Sequence, residues 1–418
     1  MVTDVLVVGA GPAGLTAAIE LRRLGVERVL VAEREEQPGG IPRHSGHTGY
    51  GLRDRHRLLS GPAYARTLTD AARQSGAELR TGCTVSDLQA GGESLTAILT
   101  SQAGIEEIRP SAVLLATGCR ERPRSARLVP GDRPAGVLTT GELQQRVYSR
   151  GERLAGRALV VGAEHVSFSA AVTLAHAGAR VVALLTEHER QQSYAAFRLG
   201  AALRWRVPVW TKSAVTRVTG VAGRLGSVEV TDRRSGQVRT VDCDWLVFTA
   251  DWIPDHELAR SAGIAIDPGT RGPAIDLGMA TSVPGVFAAG NLIHAAETAD
   301  VAALSGRHAA RRICSFLTAL AAADALSRVP IITEPPLRWI SPNIVTADGT
   351  TPPRDRFVLR TDEFRRPTRL MVSQDGKILA RSRSLRCIPG RPLHLPASWL
   401  TTVDPEGGAI HITIDPAN

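Results

Sequence analysis

The chain has 418 residues, with 50 Lys and Arg against 41 Asp and Glu and a formal net charge of +9. That length holds two or three domains with substantial cores; the basic excess lies in scattered arginines with no lysine-rich tail, which excludes a nucleic-acid recognition module and leaves a basic approach for an anionic substrate or an acidic protein partner. Cys83, Cys119, Cys243, Cys314 and Cys387 are too far apart for a disulfide framework, a CxxC pair or iron–sulfur spacing, no metal-ligand set is read, and the absence of a leader or a long apolar run gives a cytoplasmic protein without a membrane span as the expectation.

Val5-Leu6-Val7-Val8 predicts a buried strand that runs into Gly9-Ala10-Gly11-Pro12-Ala13-Gly14. In this pattern the first glycine makes the turn, the second lets a pyrophosphate approach the backbone, and the third lets the next helix pack closely. The helix, roughly residues 12 to 24, points its open N–H groups at the phosphates. Val29 to Ala32 is a second strand, ending at Glu33 where a ribose hydroxyl would be bound.

A polar excursion from Gly39 to Gly61 and a helix near Ala63 to Ser75 follow. Alternation around Glu78 to Val85, Ser94 to Leu99 and Ile105 to Ile108 predicts a small antiparallel insertion. The chain returns to a buried strand at Ala112 to Ala116, ending in Thr117-Gly118, and then crosses through Pro123, Pro130, Gly131, Pro134 and Gly136.

A second dinucleotide pattern begins near Arg157, with strands at Ala158 to Gly162 and Arg180 to Leu185 around a helix at Phe168 to Ala177. Its turn reads Gly162-Ala163-Glu164-His165-Val166-Ser167, so only the first glycine survives. Glu164 and Val166 place side chains where a pyrophosphate and close helix packing want none, and Glu164 adds negative charge. On this reading NAD(P) binding is doubtful, and Glu187 serves either as a ribose acid or as an ordinary surface residue. Trp245 to Ala250 reads as a return strand, Gly285 to Asn291 as a strand and cofactor contact, and Glu297 to Leu317 as a helix. Beyond Pro335 short β pieces include a hairpin at Asp375-Gly376.

The pieces Gly9 to Gly14, Gly39-Gly40-Ile41, Ala116-Thr117-Gly118 and Gly285 to Gly290 resemble the two-dinucleotide-domain flavoproteins related to glutathione reductase. Ala116 to Pro123 with Pro130 to Val137 is similar to the FAD subunits of multicomponent amine and amino-acid dehydrogenases: dye-linked proline dehydrogenase, the alpha chain of heterotetrameric sarcosine oxidase and the cyanide-synthase flavoprotein. Gly49 to Leu52, Ser60 to Ala65 and Cys387 to Gly390 are closer to a flavoprotein found beside glycerol-phosphate enzymes. The resemblance implies an α/β fold with two Rossmann-like dinucleotide-binding domains, the FAD domain discontinuous (1–120 and 245–330), the second at 121–244, and a small β-rich C-terminal domain at 331–418.

The expected FAD contacts are Gly9, Gly11, Pro12, Ala13, Gly14, Glu33 and Arg34, then Gly40 and Ile41 on the flavin side, Val85 at adenine, and Ala116, Thr117, Gly118, Gly290 and Asn291 around the rest. Asn291 stands where the wider family places an aspartate, and no dithiol pair of the disulfide-reductase kind is present. Arg43, His44 and His47 in the polar excursion are candidates for substrate binding and proton removal, with His294 at the flavin rim. A solvated basic loop, or arginines holding the FAD pyrophosphate, is the competing reading of that excursion.

The first expectation is a dehydrogenase or oxidase subunit moving hydride from a small amino acid, amine or hydroxy acid to flavin N5, with a companion oxidoreductase or electron-transfer subunit. The alternatives are an NAD(P)H-dependent flavin reductase or monooxygenase, and an FAD-stabilised scaffold.

Overall fold

A computed structural model describes residues 2–91, 94–194, 207–295, 297–318 and 327–415. The first lobe is built on β1 (Val2–Val8), α1 (Pro12–Arg23) and β2 (Val29–Ala32), followed by α2 (Gly61–Gln74), β3 (Glu78–Arg80), β4 (Cys83–Gly91), β5 (Ser94–Ser101) and β6 (Gly104–Leu115). Their order is β3-β2-β1-β6-β5-β4. The strands β3, β2, β1 and the C-terminal half of β6 are parallel, whereas β4 and β5 return antiparallel along the N-terminal half of β6. The four residues of β2 are all buried, as expected for a parallel strand covered on both faces.

The second lobe contains β7 (Val137–Thr139), β8 (Gly156–Val161), α3 (His165–Ala177), β9 (Ala179–Leu185), β10 (Val209–Trp210) and β11 (Trp245–Phe248). All five strands are parallel in the order β7-β11-β8-β9-β10. This corrects one boundary: Trp245 to Phe248 pairs with β8, so the return strand completes the second lobe and does not begin the second part of the first. The chain then recrosses through Trp252–Pro254, which pairs antiparallel with Cys119–Glu121 as a two-stranded ribbon between the lobes.

The first sheet is closed by β12 (Val286–Ala288), parallel to β6, and by α4 (Ala299–Thr318). α1 and α4 pack at backbone distance: a Cβ at Gly306 would fall on the Ala13 carbonyl. The C-terminal domain begins at Arg328, whose strand pairs with Ile410–Ile414 in a five-stranded sheet. A second sheet has the order β13-β14-β15, from β13 (Leu337–Ser341), β14 (Arg356–Thr361) and β15 (Leu393–Pro396). The Asp375-Gly376 hairpin is present, with both residues at positive φ between Leu370–Gln374 and Lys377–Arg381.

Candidate functional site

The first site lies at the carboxyl ends of β1, β2 and β6. Gly14 has no alternative there, because a Cβ would fall on the Gly9 carbonyl and force α1 off the sheet. Gly11 differs: a Cβ built on it would meet nothing within 4 Å, so the space before the α1 N-terminus is open. No side chain caps that end, and Pro12 opens the helix without needing a hydrogen bond for its nitrogen. Ala13, in the first turn of α1, is buried against Gly290, whose added Cβ would lie 2.8 Å from the Ala13 Cβ. An open anion cradle at a helix start fits a dinucleotide pyrophosphate.

Glu33 ends β2 as expected, and its carboxylate accepts from the Ala10 N–H at 2.8 Å and the Glu35 N–H at 2.9 Å. Burial pushes its pKa above the ordinary carboxylate value. Gly40 closes against Gly11, Ile41 beyond it is exposed, and Val85 is buried in β4. Ala116 donates its N–H to Val8, and Thr117 Oγ1 donates to the Asp255 carbonyl at 2.7 Å; both fix the turn that carries Gly118. Arg34 points away to a surface pair with Asp255 at 3.3 Å. Asn291 spends its amide on one backbone unit: Nδ2 donates to the Glu297 carbonyl at 3.2 Å and Oδ1 accepts the Glu297 N–H at 3.1 Å. Both bonds fasten Asn291 to Glu297.

The polar excursion does not gather its cations around one point. Arg43 is paired with Glu35 near the ribose end. His44 is buried with Nδ1 at 3.3 Å from Ser149 Oγ, and burial, helped by Arg43, holds its pKa down at about 4. A group with that pKa is a weak base at neutral pH, which argues against His44 as the proton acceptor. His47 is half-buried, its Nδ1 2.8 Å from the Thr48 carbonyl and its ring against Tyr50. Arg53 leaves the group for Asp300 at the start of α4, at 3.1 Å.

His294 is buried against the C-terminal domain, its ring 5.0 Å from that of Trp339. Burial, reinforced by Arg360, lowers its pKa to about 3. Beside it Arg360 and Glu297 form a 3.0 Å ion pair, with side chains only 7% and 8% exposed. The sequence reading missed these two residues. The available signal was Arg356-x-Val358-x-Arg360, an alternation that puts two charges on one face of a strand.

In the second lobe the spacing from Gly162 matches that from Gly9, so Ser167 occupies the place of Gly14; Val166 does not. Ser167 is fully buried, and its hydroxyl bonds Glu164 and Thr249, each at 2.7 Å. The Glu164 carboxylate turns inward to the same Ser167 and to Thr249. Oε1 of Glu164 is thereby tied to the first turn of α3 and to the end of β11, and no side chain caps the α3 N-terminus. A cleft of about 360 Å³ opens at the carboxyl ends of β8, β9 and β11, the switch point of the sheet. Arg122, Arg127, Glu187, Arg233 and Asp251 line it. Arg127 donates to the Thr249 and Ala250 carbonyls, both at 2.8 Å, while Arg233 pairs with Glu187 at 3.1 Å. Arg122 pairs with Asp251 at 2.9 Å in the same cleft.

The family model described as pyridine nucleotide-disulphide oxidoreductase matches residues 3–306. The chain belongs to this family. It is an FAD-dependent oxidoreductase, with the open cradle at Gly11 fitting FAD. The expectation that NAD(P) is doubtful is corrected: the family match runs through the whole second lobe. NAD(P)H is the expected partner cofactor of this family member.

Among relatives, a ferredoxin–NADP reductase of Ignicoccus hospitalis is 29% identical over 312 residues, covering 72% of this chain and 94% of the relative. An opine oxidase subunit of Agrobacterium tumefaciens is 33% identical over 187 residues, 42% of this chain and 35% of the relative. The chain thus spans nearly all of the first relative but about a third of the second. The fold is shared with the thioredoxin reductase of T. acidophilum, at a TM-score of 0.64 and 20% identity over 75% of this chain and 98% of that one. No helix among the described residues is long and apolar enough to cross a membrane.

Proposed function

We propose that this flavoprotein is an NAD(P)H-dependent reductase that delivers electrons to a companion oxidoreductase. The observation that carries the reading is the cleft at the carboxyl ends of β8, β9 and β11, lined by Arg122, Arg127 and Arg233. On this reading Arg122, which pairs with Asp251 at 2.9 Å, and Arg127 hold the phosphates of the nucleotide, and the Glu187–Arg233 pair meets its ribose. FAD, when bound, accepts the hydride of NAD(P)H together with one proton and stores two electrons. The five cysteines are all free and Cys83, Cys243 and Cys387 are buried, so an acceptor must come to the flavin without a dithiol relay in this chain. The relative named ferredoxin–NADP reductase supports an electron carrier as that acceptor, and the relatives named as subunits of alkyl hydroperoxide reductase and of sarcosine oxidase support a companion protein in the same assembly.

A second reading runs the flavin in the other direction, from an amine or amino acid to FAD. It is supported by the names of the opine oxidase and sarcosine oxidase relatives. Anaerobic titration of the FAD-loaded protein separates the two. Saturable bleaching by NADH or NADPH is the expected result. Bleaching by amino acids, amines or hydroxy acids with none by either nicotinamide would replace the first reading with the second.

A further inference from the structure

The close packing of α1 on α4 brings two stripes of charged side chains together. Glu20 and Arg23, three residues apart, share one stripe of α1, and Arg307 and Arg311, four apart, share one stripe of α4. The turn at 51–58 comes down beside them. Its Arg55 and Arg57 N–H groups donate to the Gly51 carbonyl, and its Arg53 N–H donates to the Asp300 carboxylate, at the start of α4, at 3.1 Å. Between these three segments lies a cleft of about 340 Å³, lined by Glu20, Arg23, Arg55, Arg307 and Arg311. Thr16, which also lines it, is one helical turn beyond Pro12, about 6 Å along α1 from the phosphate cradle.

The charges in this cleft do not balance. Its carboxylate, Glu20, is buried and already shared: Oε1 and Oε2 accept from Arg23 at 2.8 and 2.9 Å, and Oε1 also accepts from Arg311 at 3.1 Å. Arg55 has Asp54 at 3.8 Å, but that carboxylate accepts the Tyr64 hydroxyl at 2.8 Å. Arg307 makes no ion pair among the described residues, and it stands one turn before Arg311, a spacing at which like charges repel. Four guanidinium groups thus share the cleft with one spent carboxylate, and the side chains of Arg23 and Arg311 reach well into solvent. Long exposed arms around an open cleft suit a surface that a macromolecule covers better than a closed pocket for a small ion. The same turn exposes Leu52 and Leu58, at 50% and 62%, with the exposed Arg57 between them. Arginine beside exposed apolar side chains is the composition of a protein interface, and the sign of the charge makes the complementary partner acidic.

We propose that the cleft between α1, α4 and the 51–58 turn docks an acidic segment of the companion protein, whose carboxylates pair with Arg307, Arg55, Arg23 and Arg311 while its apolar side chains cover Leu52 and Leu58. That the docked protein is the electron acceptor rests on the reductase reading; the acidic-partner surface itself does not.

The test uses the full chain loaded with FAD and a fluorescein-labelled, Glu-rich peptide carrying leucines, followed by fluorescence anisotropy at low salt. Saturable binding is expected, weakening as added salt screens the exposed charges. Arg307→Glu should weaken it by about tenfold or more and the milder Arg307→Gln by about threefold, with FAD content unchanged in both. The control is Arg366→Glu, the same charge change on the exposed surface of the C-terminal domain, which should stay within about twofold of the parent. A control weakened as much as Arg307→Glu would show that only net charge is read, and would overturn the site. So would a peptide that does not bind, or one that binds both Arg307 variants as it binds the parent. Tripolyphosphate displacing the peptide below the peptide's own midpoint, at matched ionic strength, would make the cleft a small-phosphate site and overturn the protein partner. Nicotinamide bleaching is recorded on the same sample. Peptide binding without bleaching removes the reductase reading and keeps the docking surface, whereas bleaching without peptide binding removes only the docking surface.

Discussion

The two dinucleotide lobes reach the same turn by different means. In the first, the backbone does everything: Gly14 is excluded from carrying a Cβ by the Gly9 carbonyl, and Gly11 leaves the phosphate space open. In the second, side chains have moved in. Ser167 fills the tight position, Glu164 is tied to it and to Thr249, and arginines from the crossing segment line the cleft. The lesson is that a motif made of absent side chains tolerates no substitution in place, but a fold can rebuild its electrostatics from elsewhere once the turn is anchored by hydrogen bonds.

The largest test of that contrast is a pair of substitutions at equivalent positions. Gly14→Ala should cost more than about 4 kcal/mol, the range of severe core strain, and yield protein without flavin absorbance. Ser167→Gly should cost about 1 kcal/mol, the scale of its hydroxyl bonds, and leave FAD content intact. A flavin-replete Gly14→Ala protein would break the comparison.

Next in size is a pH effect in the ribbon between the lobes. Glu121 accepts the Gly141 N–H at 2.7 Å, and burial raises its pKa from the ordinary 4.5 to about 7. The folded protein therefore holds this proton more tightly than the unfolded chain. Its contribution is full below about pH 4.5, falls as pH rises towards 7 and is constant above that, a loss of about 3 kcal/mol across the window. Glu121→Gln should flatten this slope in denaturant melts taken from pH 4.5 to 8.

Arg127→Ala sharpens the comparison from the ligand side. It removes two bonds to strand-end carbonyls and the cation over the Phe248 ring, worth about 2 kcal/mol. NADPH affinity should fall by more than tenfold while FAD content stays unchanged; equal loss of both would show that the arginine supports the whole fold. The smallest effect is expected from Arg34→Ala. Its pair with Asp255 is on the surface, so stability should change by less than about 0.5 kcal/mol and FAD affinity should not move in a fluorescence titration.

What could be read from the sequence follows how local the physics is. The first cradle was legible because strand, glycines, helix and Glu33 lie within 33 consecutive residues. The hairpin at Asp375-Gly376 was legible for the same reason. The fate of Glu164 was not, since its second partner, Thr249, lies 85 positions away and only the closed sheet brings them together. The assignment of Trp245 to Phe248 failed similarly, because pairing with β8 decides which lobe owns that strand. Arg360 and Glu297 meet across 63 positions, and nothing in either neighbourhood announces the other.

One contact near the sequence end changes how the molecule can move. Arg391 of the C-terminal domain donates to the Gln192 and Ser193 carbonyls and lies over Tyr194, whose ring meets His165 at the start of α3. The same domain is fastened to the first lobe through Arg360 and Glu297, and the lobes are joined by the ribbon. Three bodies are thus linked pairwise into a braced triangle, and no side of a triangle can swing without lengthening another. Any rotation of the second lobe must first release the Arg391 clasp, and Arg391→Ala should speed hydrogen exchange at the Gln192 and Ser193 amides, both now bonded to Ala163. The C-terminal domain is in this sense a strut between the two lobes.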